Sequence, residues 1–237
     1  PSVLFNDPLF VNKSKVILVG GLKYDENSEQ ESEIKLGNSR SLRSGQKSWD
    51  YLPGTQEEIL KIKDIAFNKN WATLLYSDTS FTESSFIKLN QFSQNAILHI
   101  ATHGFYISGK SKGSEEFQQH DPLEDAGLIL SGGNKGWQGL TNGGINDGIL
   151  TGREIANTDL SGLYLVSLSA CETGLGEIQG NEGVFGLPRA FKLAGVNYII
   201  SSLWQVPDKQ TAEFMELFYS YLFNDIPIEQ AFRQTQI

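Results

Sequence analysis

A single cysteine, Cys171, and only three histidines occur among the 237 residues. One cysteine excludes an internal disulfide and the bridged framework of a small secreted domain, so a reducing, cytoplasmic setting is expected. No apolar run reaches the ~18–20 residues of a membrane span, and no basic–apolar–small leader opens the chain, so no membrane partner is expected. Basic residues are in the minority, 19 Lys and Arg against 28 Asp and Glu, and nowhere do they cluster. Without concentrated positive charge there is little to neutralise phosphates, which argues against direct nucleic-acid binding. The remaining composition, 39% hydrophobic and 20% charged, is that of a folded globular protein. The length suits one large α/β domain with one core. Because the first residue is Pro1, the natural start is expected to lie further upstream.

Several short, continuously apolar runs alternate with helical patterns. Val16 to Val19 reads as a buried strand turning at Gly20-Gly21, and Ala72 to Tyr76 as a second. Between them, residues 24–54 are polar and read as an exposed loop. Thr55-Gln56-Glu57-Glu58 has the form of a capping box, followed by a stripe of Ile59, Ile62, Ile65 and Ala66. Thr82 to Phe92 reads as another helix. The clearest strand is Ala96 to Ala101, which runs into Thr102-His103-Gly104. A polar, Gly-rich stretch at 107–148 contains one apolar piece, Gly127 to Leu130. Thr151 and Glu154 form a second capping box. Leu163 to Leu168 is a strand running into Ser169-Ala170-Cys171, and Val196 to Leu203 is a fifth. Helices are expected through Arg189 to Leu193, from Asp208 with Ala212, Met215, Phe218, Tyr219 and Leu222 on one face, and from about Pro227. Strands without polar alternation belong to parallel sheets covered on both faces, and right-handed crossovers put every strand's carboxyl end on one edge. His103 and Cys171 both lie just past such ends.

That juxtaposition is the chemistry-bearing feature. A lone cysteine beside an apolar strand is ordinarily an inert buried thiol. Cys171 differs by standing at a strand exit, ahead of glycines at 174, 176, 180 and 183, opposite a histidine at another exit. A thiol of ordinary acidity is mostly protonated at neutral pH and needs a base or cation beside it to attack a carbonyl, a role assigned to His103. Gly104 lacks a side chain, so its backbone N–H, with that of Cys171, is the candidate donor to an oxyanion. His99 lies within the apolar run and reads as a core histidine. His99 and His103 share the i, i+4 spacing of zinc peptidases, but Ile100 stands where the general-base glutamate would be and the segment reads as strand. Cys171 and His120 complete no familiar ligand spacing, so no metal is expected. The glycines from Gly174 to Gly180 follow a strand and precede a helix, as in dinucleotide sites. Their spacing is one residue too long, no acidic residue follows at the usual distance, and no Gly-Lys-Ser/Thr loop exists, so no cofactor is expected.

Leu98-His99-Ile100-Ala101-Thr102-His103-Gly104-Phe105 resembles the histidine motif of the CHAT domain, a branch of the caspase and separase superfamily. Asp147 to Thr151 with Glu154-Ile155-Ala156 is similar to the family's segment ahead of its cysteine strand. Leu168-Ser169-Ala170-Cys171-Glu172-Thr173-Gly174-Leu175-Gly176 resembles its cysteine motif, and the likeness continues through Gly183–Gly186, Arg189–Phe191 and Ser201–Asp208. It spans roughly residues 52 to 235. The resemblance implies a single caspase-like α/β/α sandwich over residues 1–237 with a mainly parallel central sheet, lacking its natural N-terminal region and last C-terminal strand. It implies a cysteine endopeptidase with a His103–Cys171 dyad acting on a protein substrate, regulated by an upstream sensor or TPR-type region in bacterial antiviral defence or cell death. A catalytically silent interaction domain of the same fold is the alternative. Asp208, with Glu172 and Trp204, is a candidate substrate-binding residue. A carboxylate at 208 would suit a basic P1 side chain, although it would serve equally as a helix cap. Pro188 departs from the family's pattern and implies a helix start or kink there.

Overall fold

The architecture comes from a computed structural model, which describes residues 15–25, 47–92, 95–107, 121, 123–141, 146–170, 186–201 and 208–236. Five parallel strands make the central sheet: Lys15–Leu22 (β1), Ala72–Asp78 (β2), Ala96–Ala101 (β3), Leu163–Ser169 (β7) and Tyr198–Ser201 (β8), in the order β2-β1-β3-β7-β8. Gly104–Tyr106 (β4), Ala126–Ile129 (β5) and Ile149–Thr151 (β6) form a separate antiparallel sheet. β1, β3 and β7 are buried almost throughout, as strands covered on both faces must be.

Successive residues of these strands serve opposite layers. Val16, Leu18, Ile97 and Leu165 pack with helices Pro53–Asn68 (α1), Asp208–Leu222 (α6) and Ile228–Thr235 (α7), through Ile59, Ile62, Met215, Phe218 and Leu222. Ile17, Val19, Leu98 and Val166 face the other way, toward Glu83–Ile87 (α2), Gly133–Trp137 (α3), Gly152–Ala156 (α4) and Gly186–Leu193 (α5), through Phe86, Trp137, Ile155 and Phe191. The result is the expected three-layer α/β/α sandwich with a mainly parallel sheet.

Three local expectations need correction. β1 does not turn at Gly20-Gly21 but continues to Leu22. The glycines serve close approach instead: a Cβ on Gly20 would meet the Thr55 carbonyl oxygen at 2.6 Å, so α1 can cross directly over the strand. α1 starts at Pro53, two residues before the predicted box, because proline suits a first turn that needs no N–H. Thr55 therefore bonds the Leu52 carbonyl and the Gly21 N–H, and Glu58 turns into the core. The stretch 24–54 is not wholly an exposed loop, since Tyr24 and Trp49 are 2% and 4% exposed. The Thr151–Glu154 capping box is formed as expected. Pro188 falls in the first turn of α5, where a proline starts rather than breaks a helix.

Candidate active site

β3 ends at Ala101 and β7 at Ser169, and these two residues are paired across the sheet. His103 and Cys171 each follow two positions later in sequence. Cys171, Glu172 and Trp204 lie outside the described residues. Asp208 opens α6, and nothing is described of its side chain. The histidine side lies within the described residues.

His103 is half-exposed and held on several sides. Its Nε2 lies 2.8 Å from the backbone carbonyl oxygen of Asp50. A carbonyl only accepts, so Nε2 carries the proton of the neutral ring and Nδ1 keeps the lone pair. The rings of Tyr24 and Trp49 flank the imidazole, with centroids at 5.1 and 4.9 Å and interplanar angles of 52° and 42°. Trp137 supports Trp49 edge-on at 5.0 Å. These contacts leave the ring a donor fixed on Nε2 and a basic Nδ1, between two tilted aromatic neighbours.

The main chain of His103 is fixed as well. Thr102 Oγ1 donates to the Ile129 carbonyl at 2.6 Å, so the Tyr24 hydroxyl donates to Thr102 Oγ1 at 2.9 Å. The same phenol oxygen accepts the His103 backbone N–H, and the His103 carbonyl accepts from Ile129 N–H at 2.9 Å. Burial pushes the Tyr24 hydroxyl up to about 12, which keeps it a neutral donor. Gly104 pairs with Leu128 across the antiparallel β4–β5 ladder. The bonds of that ladder fall at His103–Ile129 and Ile107–Asp125, so Gly104 occupies a non-bonded position and its N–H points away from β5.

His99 is fully buried on the α1 and α6 side, as a core histidine should be. Its Nε2 lies 3.1 Å from Glu58 Oε1, close enough for an ion pair but not aligned as a hydrogen bond. Its Nδ1 meets the Tyr219 hydroxyl at 3.3 Å, and burial holds that phenol far above its ordinary range. Ser169 Oγ donates to Glu58 Oε2 at 3.0 Å. One carboxyl on α1 thus bears on both strands whose exits lead to His103 and Cys171. Among the described residues, no group of three or more His, Cys, Asp or Glu is arranged to hold a metal ion.

Sequence reasoning did not single out Tyr24, Trp49, the Asp50 carbonyl or Thr102. A large aromatic such as Trp49, closing a polar stretch, was the available signal. A backbone acceptor such as Asp50 carries no side-chain signature at all.

A parallel sheet between two helical layers, with a histidine braced at a strand exit beside the exit leading to the cysteine, defines a caspase-like, peptidase-related domain. The family model of the CHAT domain matches residues 15–237, and the chain belongs to that family, which is related to cysteine peptidases. No curated protein matches the chain. No described helix is long and apolar enough to cross a membrane.

Proposed function

We propose that the protein is a cysteine endopeptidase in which His103 activates Cys171 against a peptide bond of a protein substrate. The observation that carries this reading is the 2.8 Å contact of His103 Nε2 with the Asp50 carbonyl: a neutral ring donating there keeps Nδ1 as its basic nitrogen. The shared register of β3 and β7 adds support, since His103 and Cys171 are equally displaced from a paired couple. Nδ1 takes the thiol proton and the thiolate sulfur bonds to the scissile carbonyl carbon. The N–H groups of Gly104 and Cys171 receive the developing oxyanion. The imidazolium then protonates the leaving amine, and water releases the acyl group. In this reading the domain is an effector awaiting a signal from a sensor region in bacterial defence or cell death, a setting that the resemblance to the CHAT family supports.

The test is cleavage of a peptide library together with labelling by a thiol-directed peptide warhead. The unaltered protein should cleave and be labelled, while His103→Ala and Cys171→Ala, both folded, should each lower turnover by about 10³-fold or more. Normal cleavage by either variant would remove the dyad. An unaltered protein that neither cleaves nor labels would favour the silent interaction domain.

A further inference from the structure

We propose that Asn134 is the positioning residue of His103, fixing the ring's tautomer and plane through Tyr24, Trp49 and the Asp50 peptide; this rests on the reading of His103 as the general base. Asn134 lies in α3 and is 3% exposed. Its Oδ1 accepts from Trp49 N–H at 2.7 Å and its Nδ2 donates to the Trp49 carbonyl at 3.1 Å. A side-chain amide here satisfies both polar groups of one backbone residue, as a neighbouring strand would. Nδ2 also donates to Asp25 Oδ1 at 2.8 Å, and the Asn134 backbone N–H donates to the Tyr24 carbonyl at 3.0 Å. One residue therefore secures both aromatic neighbours of the imidazole. It also secures the residue immediately before Asp50, whose carbonyl receives Nε2–H.

Chemistry restricts the position to asparagine. Aspartate offers no donor for the Trp49 carbonyl and would set a second carboxylate beside Asp25, and an aliphatic residue offers neither half of the pairing. The platform beneath is rigid: a Cβ on Gly133 would meet the Gly148 carbonyl oxygen at 2.6 Å, so α3 sits directly on the β6 approach. Gln138, which caps the end of the same helix, donates from Nε2 to the Lys47 carbonyl at 3.1 Å, a second tether on the same segment. Among the described residues Trp49 Nε1 is buried without a hydrogen-bond partner, so its main-chain bonds to Asn134 are what hold the ring against His103.

The experiment reads the tautomer of His103 directly. The chain, labelled with ¹⁵N-histidine, is examined by long-range ¹H–¹⁵N correlation in a Cys171→Ala background, so that no thiolate holds the ring protonated. His103→Gln identifies its signals among the three histidines. We expect the Nε2–H tautomer with Asn134 present and a mixture with Asn134→Ala. In the active protein Asn134→Ala should lower kcat by about 10- to 100-fold with KM changed less than about threefold. Asn134→Asp, which keeps the acceptor for Trp49 N–H and loses both donors, should fall between. Leu222→Ala, in the layer on the opposite face of the sheet, should lower Tm yet leave tautomer and kcat unchanged. The proposal is overturned if His103 carries its proton on Nδ1 with Asn134 present. It is equally overturned if either folded Asn134 variant keeps the original tautomer and kcat. Should Asn134→Ala not fold, Asn134→Asp and the unaltered tautomer decide. A protein that cleaves nothing would remove the peptidase reading while the tautomer measurement stands.

Discussion

Replacing Glu83 by glutamine should make the protein more stable in alkali and leave it almost unchanged in mild acid. Glu83 lies in the first turn of α2 and is 4% exposed. Its Oε1 accepts from Ile149 N–H at 3.1 Å, which Asp147 Oδ1 also accepts at 2.9 Å. Burial, followed by the hydrogen bond and charge of Asp147 and the charge of Glu154, pushes the Glu83 carboxyl up to about 8 from 4.5. Between those values the folded chain holds a proton that the unfolded chain has lost, so Glu83's contribution to stability is fully present below pH 4.5 and is lost as pH rises through about 8. About 3.5 pH units at 1.36 kcal/mol each sets an upper limit near 5 kcal/mol, and relaxation around the charge should reduce it to about 2–3 kcal/mol. Glutamine keeps the acceptor for Ile149 and a donor for Asp147 while discarding the titration. Thermal melts followed by circular dichroism at about pH 5 and pH 9 should show the variant's advantage growing by about 4–10 °C. Parallel curves for the two proteins across that range would refute the reasoning.

Two further substitutions probe the frame around His103. Thr102→Val keeps the shape but orphans the Tyr24 hydroxyl and the Ile129 carbonyl, and should cost about 3 kcal/mol in urea unfolding. Adding Tyr24→Phe should recover little of that loss, because the His103 backbone N–H then loses the phenol oxygen that accepts it. Gly148→Ala should cost about 3 kcal/mol or more by the same measurement. Gly148 has φ +77°, and a Cβ there would meet the Gly133 backbone within 2.4 Å, against the platform that carries Asn134.

The central sheet was legible because fully buried parallel strands announce themselves as unbroken apolar runs, as in Ala96 to Ala101 and Leu163 to Leu168. The small antiparallel sheet was only half legible. β5 showed as the apolar piece in a Gly-rich stretch, whereas β4 and β6 are three residues each, too short for any period to show. α3 has the sequence Gly-Asn-Lys-Gly-Trp, whose propensities oppose a helix, and tertiary packing of its glycines decides the matter. The misread box at Thr55–Glu58 has the same origin. Its pattern is right for a cap, but Pro53 starts the helix earlier and Glu58 is drawn to Ser169 and His99. Within the site, His103 stood out because histidine is rare here and the strand exit is a known location for chemistry. Its supports were hidden because they reach it across the fold rather than along the chain.

That remoteness has a consequence for how the protein comes into being. Tyr24 meets Thr102 across 78 positions, Asp50 meets His103 across 53, and Trp49 waits for Asn134 across 85. Contacts so far apart in sequence form only when most of the chain has been synthesised and collapsed. During translation the imidazole at 103 would emerge with no fixed proton and no aromatic shelter until residue 134 had left the ribosome and docked. Nascent chains and amino-terminal fragments ending before α3 would carry the histidine and its flanking rings but not the Asn134 that fastens them. Whatever reactivity those surroundings confer is thereby withheld from unfinished molecules.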